Sequence, residues 1–248
     1  MRGLWRLTWL EVKIFVREPL GVIGTVVVPA LVFVVFGRIV GPPMRRGVHN
    51  LPPIVSIDLP VLTAMLIAIS AVLSLVAVVA IYREGGILKR LRATPLGPTT
   101  ILSAHVLVKL LFTMLSIVLM WLGGRHYYPV PAEVPLLSFG AGVLVTTLSI
   151  LSIGFVLASL APTARFAQPI GAMILYPMLG VSGLFAPMTD MSPSMQTVSR
   201  FVPFTYAVSL LRGLWHGDGW AAHATDVGAL ALTFALCTLA STKLFRWE

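Results

Sequence analysis

Charge is what this sequence has least of. Asp, Glu, Lys and Arg make up 11% of it, against about 25% in soluble domains. Carboxylates number nine in 248 residues. None falls in the middle of a long apolar run: Asp58, Asp190 and Asp226 stand at run ends. A mid-membrane carboxylate relay of the kind found in proton-driven carriers is therefore not expected. Cysteine is scarcer still. Cys237, alone and inside an apolar run, excludes an intrachain disulfide and a cluster of thiolate metal ligands, and reads as a packing residue. The five histidines, His49, His105, His126, His216 and His223, have no metal-ligand spacing to one another, and no HExxH is present. Lys13, Lys89, Lys109 and Lys243 are followed by Ile14, Arg90, Leu110 and Leu244. A P-loop needs a hydroxyl there to ligate magnesium, so the chain has no Walker-type nucleotide site of its own. No GxSxG elbow occurs either. No catalytic residue, metal site or cofactor is expected on this chain.

What is present is oil. The chain is 57% hydrophobic, with a mean hydropathy of +0.93. About 20 apolar residues cross a hydrocarbon core of about 30 Å, and six runs qualify: Leu20–Gly37, Leu59–Ile81, Ile101–Leu122, Leu136–Leu160, Ala167–Met188 and Thr225–Thr242. With the N-terminus inside, eleven lysines and arginines fall in inside segments and six outside, Lys109 lying within a span. That asymmetry predicts both termini in the cytosol. The net charge of +9 sits between apolar runs, where it orients the chain and meets anionic lipid; no nucleic-acid partner is expected. No cleavable leader is expected at the N-terminus. Residues 2–18 are periodic instead. Arg2, Arg6, Lys13 and Arg17 fall within roughly 60° of arc at 100° per residue, predicting an amphipathic helix on the cytosolic leaflet, with Pro19 breaking it or opening the next helix.

The segments between runs differ in character. Residues 41–60 and 123–135 are rich in proline and read as extended or short outer loops. Residues 189–223 predict two short helices lying in or dipping into the outer leaflet. Ser192 and Pro193 supply an N-cap and a first-turn proline, Pro203 divides the two helices, and Gly217 and Gly219 end the second. His105 and Lys109, at i and i+4, share a face of the third run. Both lie within a few turns of its cytosolic end, where lysine snorkels to the interface, so a structural role is expected. In the fifth run, Pro177 stands mid-span among Gly171, Gly180 and Gly183, predicting a kink and either close packing or a dimer-lining element. The fold expected is an all-α polytopic membrane protein forming one domain over 1–248. An interfacial helix at 1–19 comes first. Spans one to five occupy 20–188, with a cytosolic loop at 83–98. The outer helices occupy 189–223, and the sixth span and tail 224–248. No internal repeat is visible.

The densest polar stretch is Tyr82 to Pro98, with five charges between Arg83 and Arg92. Its pattern is Arg83-Glu84-x-Gly86-x-Leu88-Lys89-Arg90-Leu91-Arg92-Ala93-Thr94-Pro95-Leu96. A second pattern, Pro177-x-x-Gly180-x-Ser182-Gly183-x-Phe185-x-Pro187, precedes Phe201-x-Pro203-Phe204-Thr205-Tyr206-Ala207 and Leu211-Arg212. Together with Arg17-Glu18-Pro19 and six runs, these resemble the permease subunits of the type-2 family of ABC exporters over essentially the whole chain. The small outer loops are most similar to the drug- and antibiotic-export branch.

The resemblance implies a membrane-embedded, multi-pass permease of a bacterial-type cell membrane. It would pair with a second permease copy, identical or a close paralogue, and with a dimer of ATPase subunits that carries the ATP and Mg. It implies coupling through the loop and the N-terminal helix. Arg83, Glu84, Lys89, Arg90 and Arg92 would set register against an ATPase groove, Leu88 and Leu91 would anchor, and Thr94-Pro95 would stop the helix. Thr113, Ser116, Tyr176, Pro177, Ser182 and Phe185 are candidates for a substrate path or dimer lining. The expected substrate is amphipathic: a drug-like compound, a lipid or a lipid-linked glycan. The rival readings are an ion-coupled carrier or channel, a membrane enzyme built on His105 and Lys109, and a non-transporting assembly protein. Replacing Arg90 and Leu91 together is expected to lower transport-coupled ATPase activity while membrane insertion stays intact; normal coupling at normal expression contradicts the loop's assignment.

Overall fold

Run length and side-chain polarity dictate helices nearly everywhere, and helices are what form. The computed structural model describes residues 2–17, 19–35, 59–86, 98–127, 136–161, 163–185 and 188–244, and all regular structure among them is helical. Helix α1 is Arg2–Arg17. Helix α2 opens at Pro19–Val22, loosens into a π-helical turn over Ile23–Val27 and continues to residue 35. Then come α3 (Leu59–Glu84), α4 (Pro98–Tyr127), α5 (Leu136–Leu160) and α6 (Ala164–Gly180). Helices α7 (Pro193–Phe201), α8 (Pro203–His216) and α9 (Ala224–Leu244) complete the described chain.

Four of these are long and apolar enough to cross a membrane, over Val61–Glu84, Ser103–Gly123, Leu136–Leu160 and Trp220–Lys243. The first and fifth expected runs are helical but shorter. The first is apolar over Ile23–Val35, its expected end at Gly37 lying outside the described residues. The fifth stops at Gly180, not Met188. Pro177 is therefore near the helix end rather than mid-span. Beyond it, Val181 N–H donates to Pro177 O at 3.1 Å and Ser182 N–H to Leu179 O at 3.2 Å. Gly183 then turns the chain at φ +84°, a left-handed conformation that favours glycine. The guanidinium of Arg212 on α8 holds the Gly183 carbonyl at 3.3 Å.

Helix α3 sits at the centre because it is apolar all round, and such a helix is stable only when buried. It packs against α4, α5, α6 and α8, with Val61, Met65, Ile67, Ala68, Val72, Leu75 and Val76 all buried. Helix α8 also enters this core through Phe204, Ala207, Leu210, Leu211 and Leu214, whereas α7 leaves Met195, Val198 and Phe201 exposed. Ser192 occupies the N-cap position of α7 without a side-chain capping bond; its hydroxyl faces that of Ser194 at 3.1 Å.

Helices α3 and α5 meet closely at Gly154, where a Cβ would lie 2.9 Å from Val72 Cγ1. Alanine ordinarily stabilises a helix interior by up to about 1 kcal/mol over glycine, but overpacking costs about 1–3 kcal/mol, and the γ-methyls of valine are stiff. Gly154→Ala is therefore expected to lower the thermal unfolding midpoint in detergent; an unchanged or raised midpoint contradicts this packing.

Candidate functional site

Helix α1 has two unlike faces. Arg6, Lys13 and Arg17 are exposed, Lys13 Nζ lying 5.6 Å from the Trp9 ring centroid. The opposite face packs on α4 and buries Thr8, Glu11 and Phe15. The i, i+4, i+7 spacing from Leu4 puts Leu4, Thr8, Glu11 and Phe15 on one stripe. Glu11 is the charged member of that stripe, and it points into the protein.

There it meets a buried ionic junction. Glu11 Oε2 lies 3.4 Å from His105 Nδ1, and the Tyr82 hydroxyl donates to Glu11 Oε1 at 3.4 Å. One turn along α4 from His105, Lys109 Nζ donates to Ser74 Oγ at 2.6 Å and stands 4.0 Å from the Phe15 ring centroid, a cation–π distance. His105 and Lys109 are 4% and 2% exposed. Lys109 thus does not snorkel: a hydroxyl and an aromatic face inside the protein take the place of the headgroups. The carboxylate beside Nδ1 selects the Nδ1–H tautomer of His105, and its Nε2 is buried without a hydrogen-bond partner. A cavity of about 150 Å³ adjoins Glu11, Phe15, Tyr82, His105 and Lys109. Above the junction the same face of α4 continues with Thr113 and Ser116, both buried. Ser116 Oγ donates to Thr25 O at 3.1 Å, a carbonyl within the π-helical turn of α2. Polar contacts therefore fasten α1, α2 and α3 to one face of α4.

A second fastening lies where α3 ends. Arg83 donates to the carbonyls of Ala158 at 3.2 Å and Ser159 at 3.0 Å, and to that of Ala161. These are the carbonyls that the end of α5 leaves without helical partners. Its neighbour Glu84 accepts from Ala164 N–H at 2.7 Å, the first residue of α6, whose N-cap Thr163 makes no side-chain bond. Two adjacent side chains of opposite charge thus close both ends of the α5–α6 turn, in the sense the helix dipoles favour. Gly86, at φ +63°, then ends α3.

The remaining candidates divide. Leu88, Lys89, Arg90, Leu91, Arg92, Thr94 and Pro95 lie outside the described residues, as does the side chain of Arg2. Thr113 and Ser116 are enclosed, whereas Tyr176, Pro177 and Phe185 face outward; Ser182 is buried and donates to Leu179 O at 2.6 Å. A cleft of about 670 Å³ between α2, α3 and α6 is lined instead by Thr25, Ser70, Ser74 and Gln168. At the other end of the bundle, His223 lies 2.8 Å from Asp226 and 3.4 Å from Asp218, and Ser209 donates to Asp226 at 2.8 Å. His223 packs so closely that a Cβ on Gly213 would stand 1.8 Å from its Nε2. Sequence reasoning passed over Glu11 as part of a flanking charged segment, although its helical angle, opposite the basic arc, gave a signal.

Comparison with known proteins places this architecture. The family model described as ABC-2 type transporter matches residues 2–215. Nodulation protein J of Rhizobium leguminosarum bv. viciae is 26% identical over 134 residues, 54% of this chain and 49% of that protein. Nodulation protein J of Bradyrhizobium diazoefficiens is 30% identical over the same shares. The inner membrane transport permease YhhJ of Escherichia coli is 29% identical over 143 residues, 56% of this chain and 37% of that protein. The matched region spans half or less of these curated relatives. No solved structure matches. The chain, a bundle of apolar helices tied to an amphipathic N-terminal helix, belongs to the ABC-2 type transporter family of membrane permeases.

Proposed function

We propose that the chain is the transmembrane subunit of an ATP-driven exporter that moves amphipathic compounds out of the cytoplasm or inner leaflet. In this reading it crosses the membrane six times with both termini cytosolic, α2 and α6 providing the two shorter spans. It pairs with a second permease copy and works with a separate ATPase dimer, since its own lysines cannot form a P-loop. Drug-like molecules, lipids and lipid-linked glycans remain the substrate classes proposed. The permease family and the relative's description as an inner membrane transport permease support the membrane setting.

The observation that carries the coupling part of this reading is the fastening of the charged loop's root. Arg83 and Glu84 join α3 to the α5–α6 turn, and Tyr82, one residue earlier, reaches Glu11 on α1. A push delivered at Leu88–Pro95 would reach α1, α3, α5 and α6 together. Arg83 and Glu84 then transmit the push from within the subunit, while Leu88, Lys89, Arg90, Leu91 and Arg92 make the contact with the ATPase. A second reading, an ion-coupled carrier, draws on Glu11, which brings a carboxylate to His105 that inspection of the spans did not supply. Purification separates the two. The tagged chain is expected to bring down an ATP-hydrolysing subunit and to require ATP for transport in vesicles. Transport by the chain alone, driven by an ion gradient, overturns the exporter reading.

Two variants test the fastenings. Arg83→Ala removes hydrogen bonds of a charged donor, worth about 1.5–3 kcal/mol each. It is expected to lower ATP-driven transport about tenfold or more, the ratio that ~1.4 kcal/mol of lost coupling gives, with membrane levels unchanged; full transport contradicts it. Removing one partner of a buried polar contact strands the other at about 1–3 kcal/mol, more for a charged group, whereas replacing both by apolar groups can be nearly neutral. Glu11→Leu and His105→Leu, which each break the Glu11–His105 contact from one side, are each expected to destabilise the purified protein, and the double variant to recover most of the loss; additive losses contradict a shared junction.

A further inference from the structure

One cavity takes no part in the reading above. It is a groove of about 540 Å³ between α1, α4, α5 and α9, on the side of α4 away from the α2–α3–α6 cleft. Its stem is mostly hydrocarbon, from Leu107, Leu110, Leu148, Leu151, Phe155 and Phe234, with Thr238 and Ser152 also in the wall, the Ser152 hydroxyl donating to Ser149 O at 2.6 Å. Its mouth is different. Ser103, Ser241 and Thr242 line it there with Leu4 of α1; Ser241 and Thr242 donate to the Thr238 and Leu239 carbonyls at 2.9 and 2.8 Å, so they make the mouth polar while basic side chains are left to meet a phosphate.

The position of the groove relative to the bilayer follows from its helices. Its mouth is at the start of α4 and the end of α9, the end of the bundle where α1 lies. From Ser103 to Leu110, a helix rising 1.5 Å per residue advances about 10 Å, most of one leaflet's roughly 15 Å of hydrocarbon. Hydroxyls concentrate at the headgroup end and aliphatic and aromatic carbon predominates toward the midplane, where Leu110, Leu148 and Phe234 lie. An acyl chain has this gradient, and a folded polar solute does not. The volume lies within the range of about 300–1,000 Å³ typical of built ligand sites.

Charge selects the headgroup. Among the described residues at this end, Arg6, Lys13, Arg17, Arg165 and Lys243 are exposed, and Glu84 is the one exposed carboxylate. Glu11 is withdrawn into the ionic junction, and Glu84 is held on the Ala164 N–H. The potential at the mouth is therefore positive, and basic groups near a membrane surface attract anionic lipid by about 1 kcal/mol each. We propose that this groove is a binding site for one anionic phospholipid of the leaflet that holds α1, with one acyl chain between α4 and α9 and the phosphate at the Ser103–Ser241–Thr242 mouth. Because Leu4 forms part of the wall, occupancy ties α1 to α9 as well as to α4. The site needs no ATPase partner, so it stands or falls separately from the exporter reading.

The test uses the full-length chain reconstituted in phosphatidylcholine alone, or in phosphatidylcholine with one quarter phosphatidylglycerol, then delipidated in stages and weighed intact by native mass spectrometry. Wild type is expected to keep one phosphatidylglycerol per protomer after the bulk lipid has gone, and to lose phosphatidylcholine at that stage. Leu107→Trp, which fills the stem, is expected to cut retention about tenfold. Leu148→Phe, on the facing wall, is a second filling variant in case the first folds poorly. Leu111→Trp, exposed on α4 outside the groove, is expected to retain lipid as wild type does. Equal retention of both lipids, or equal effects of Leu107→Trp and Leu111→Trp, overturns the proposal in favour of ordinary bilayer contact.

Discussion

A carboxylate carried into the protein by a surface helix is the constraint on which the remaining contacts depend. Glu11 is costly to bury alone, and it is stable where it is because His105 and the Tyr82 hydroxyl meet it. Those groups come from α3 and α4, which are themselves fixed by the apolar core around Met65, Val72 and Leu75. The rotation of α1 about its axis follows: with Glu11 turned inward, Arg6, Lys13 and Arg17 must face outward. Buried ion pairs add little net stability over apolar packing, so the junction's main consequence is register. It gives α1 one seat on α4.

The second fastening works on the same principle with backbone partners. Helix ends carry unpaired carbonyls and amides, and Arg83 and Glu84 complete those of the α5–α6 turn. Both fastenings sit at one end of the bundle and share α3. A force applied to residues after Gly86 would therefore act on a connected set of helices. The opposite end is organised separately, around Arg212 at the Gly183 carbonyl and His223 between two carboxylates. The cleft lined by Ser70, Ser74, Thr25 and Gln168 lies between α2, α3 and α6.

Much of this was legible in the sequence. Run length found α3, α4, α5 and α9, because apolar periodicity in a membrane chain has few other solutions. Ser192-Pro193 and Gly217 marked true helix ends, and Arg6, Lys13 and Arg17 of the basic arc are exposed together on α1. Pairings between segments were not legible. Nothing local tells Lys109 that Ser74, 35 residues away, and the ring of Phe15 will replace the headgroups it could have reached. Arg83 and Glu84 read as contacts for an ATPase groove, whereas their partners in the chain are backbone atoms, which a side-chain pattern never displays. The end of the fifth run at Gly180 was hidden by continuous hydropathy through Phe185; the combination of a proline near the helix end and a left-handed glycine after it decided the boundary.

The central claim is that α1 and α4 move as one body through the Glu11–His105–Lys109 junction. Spin labels at exposed Lys13 and Leu111, in a Cys237→Ser background, report that separation directly by pulsed electron resonance in the complex with its ATPase. The account predicts one narrow distance, the same with and without bound nucleotide. A distance that shifts or splits between the two states, while the complex still transports, would contradict it.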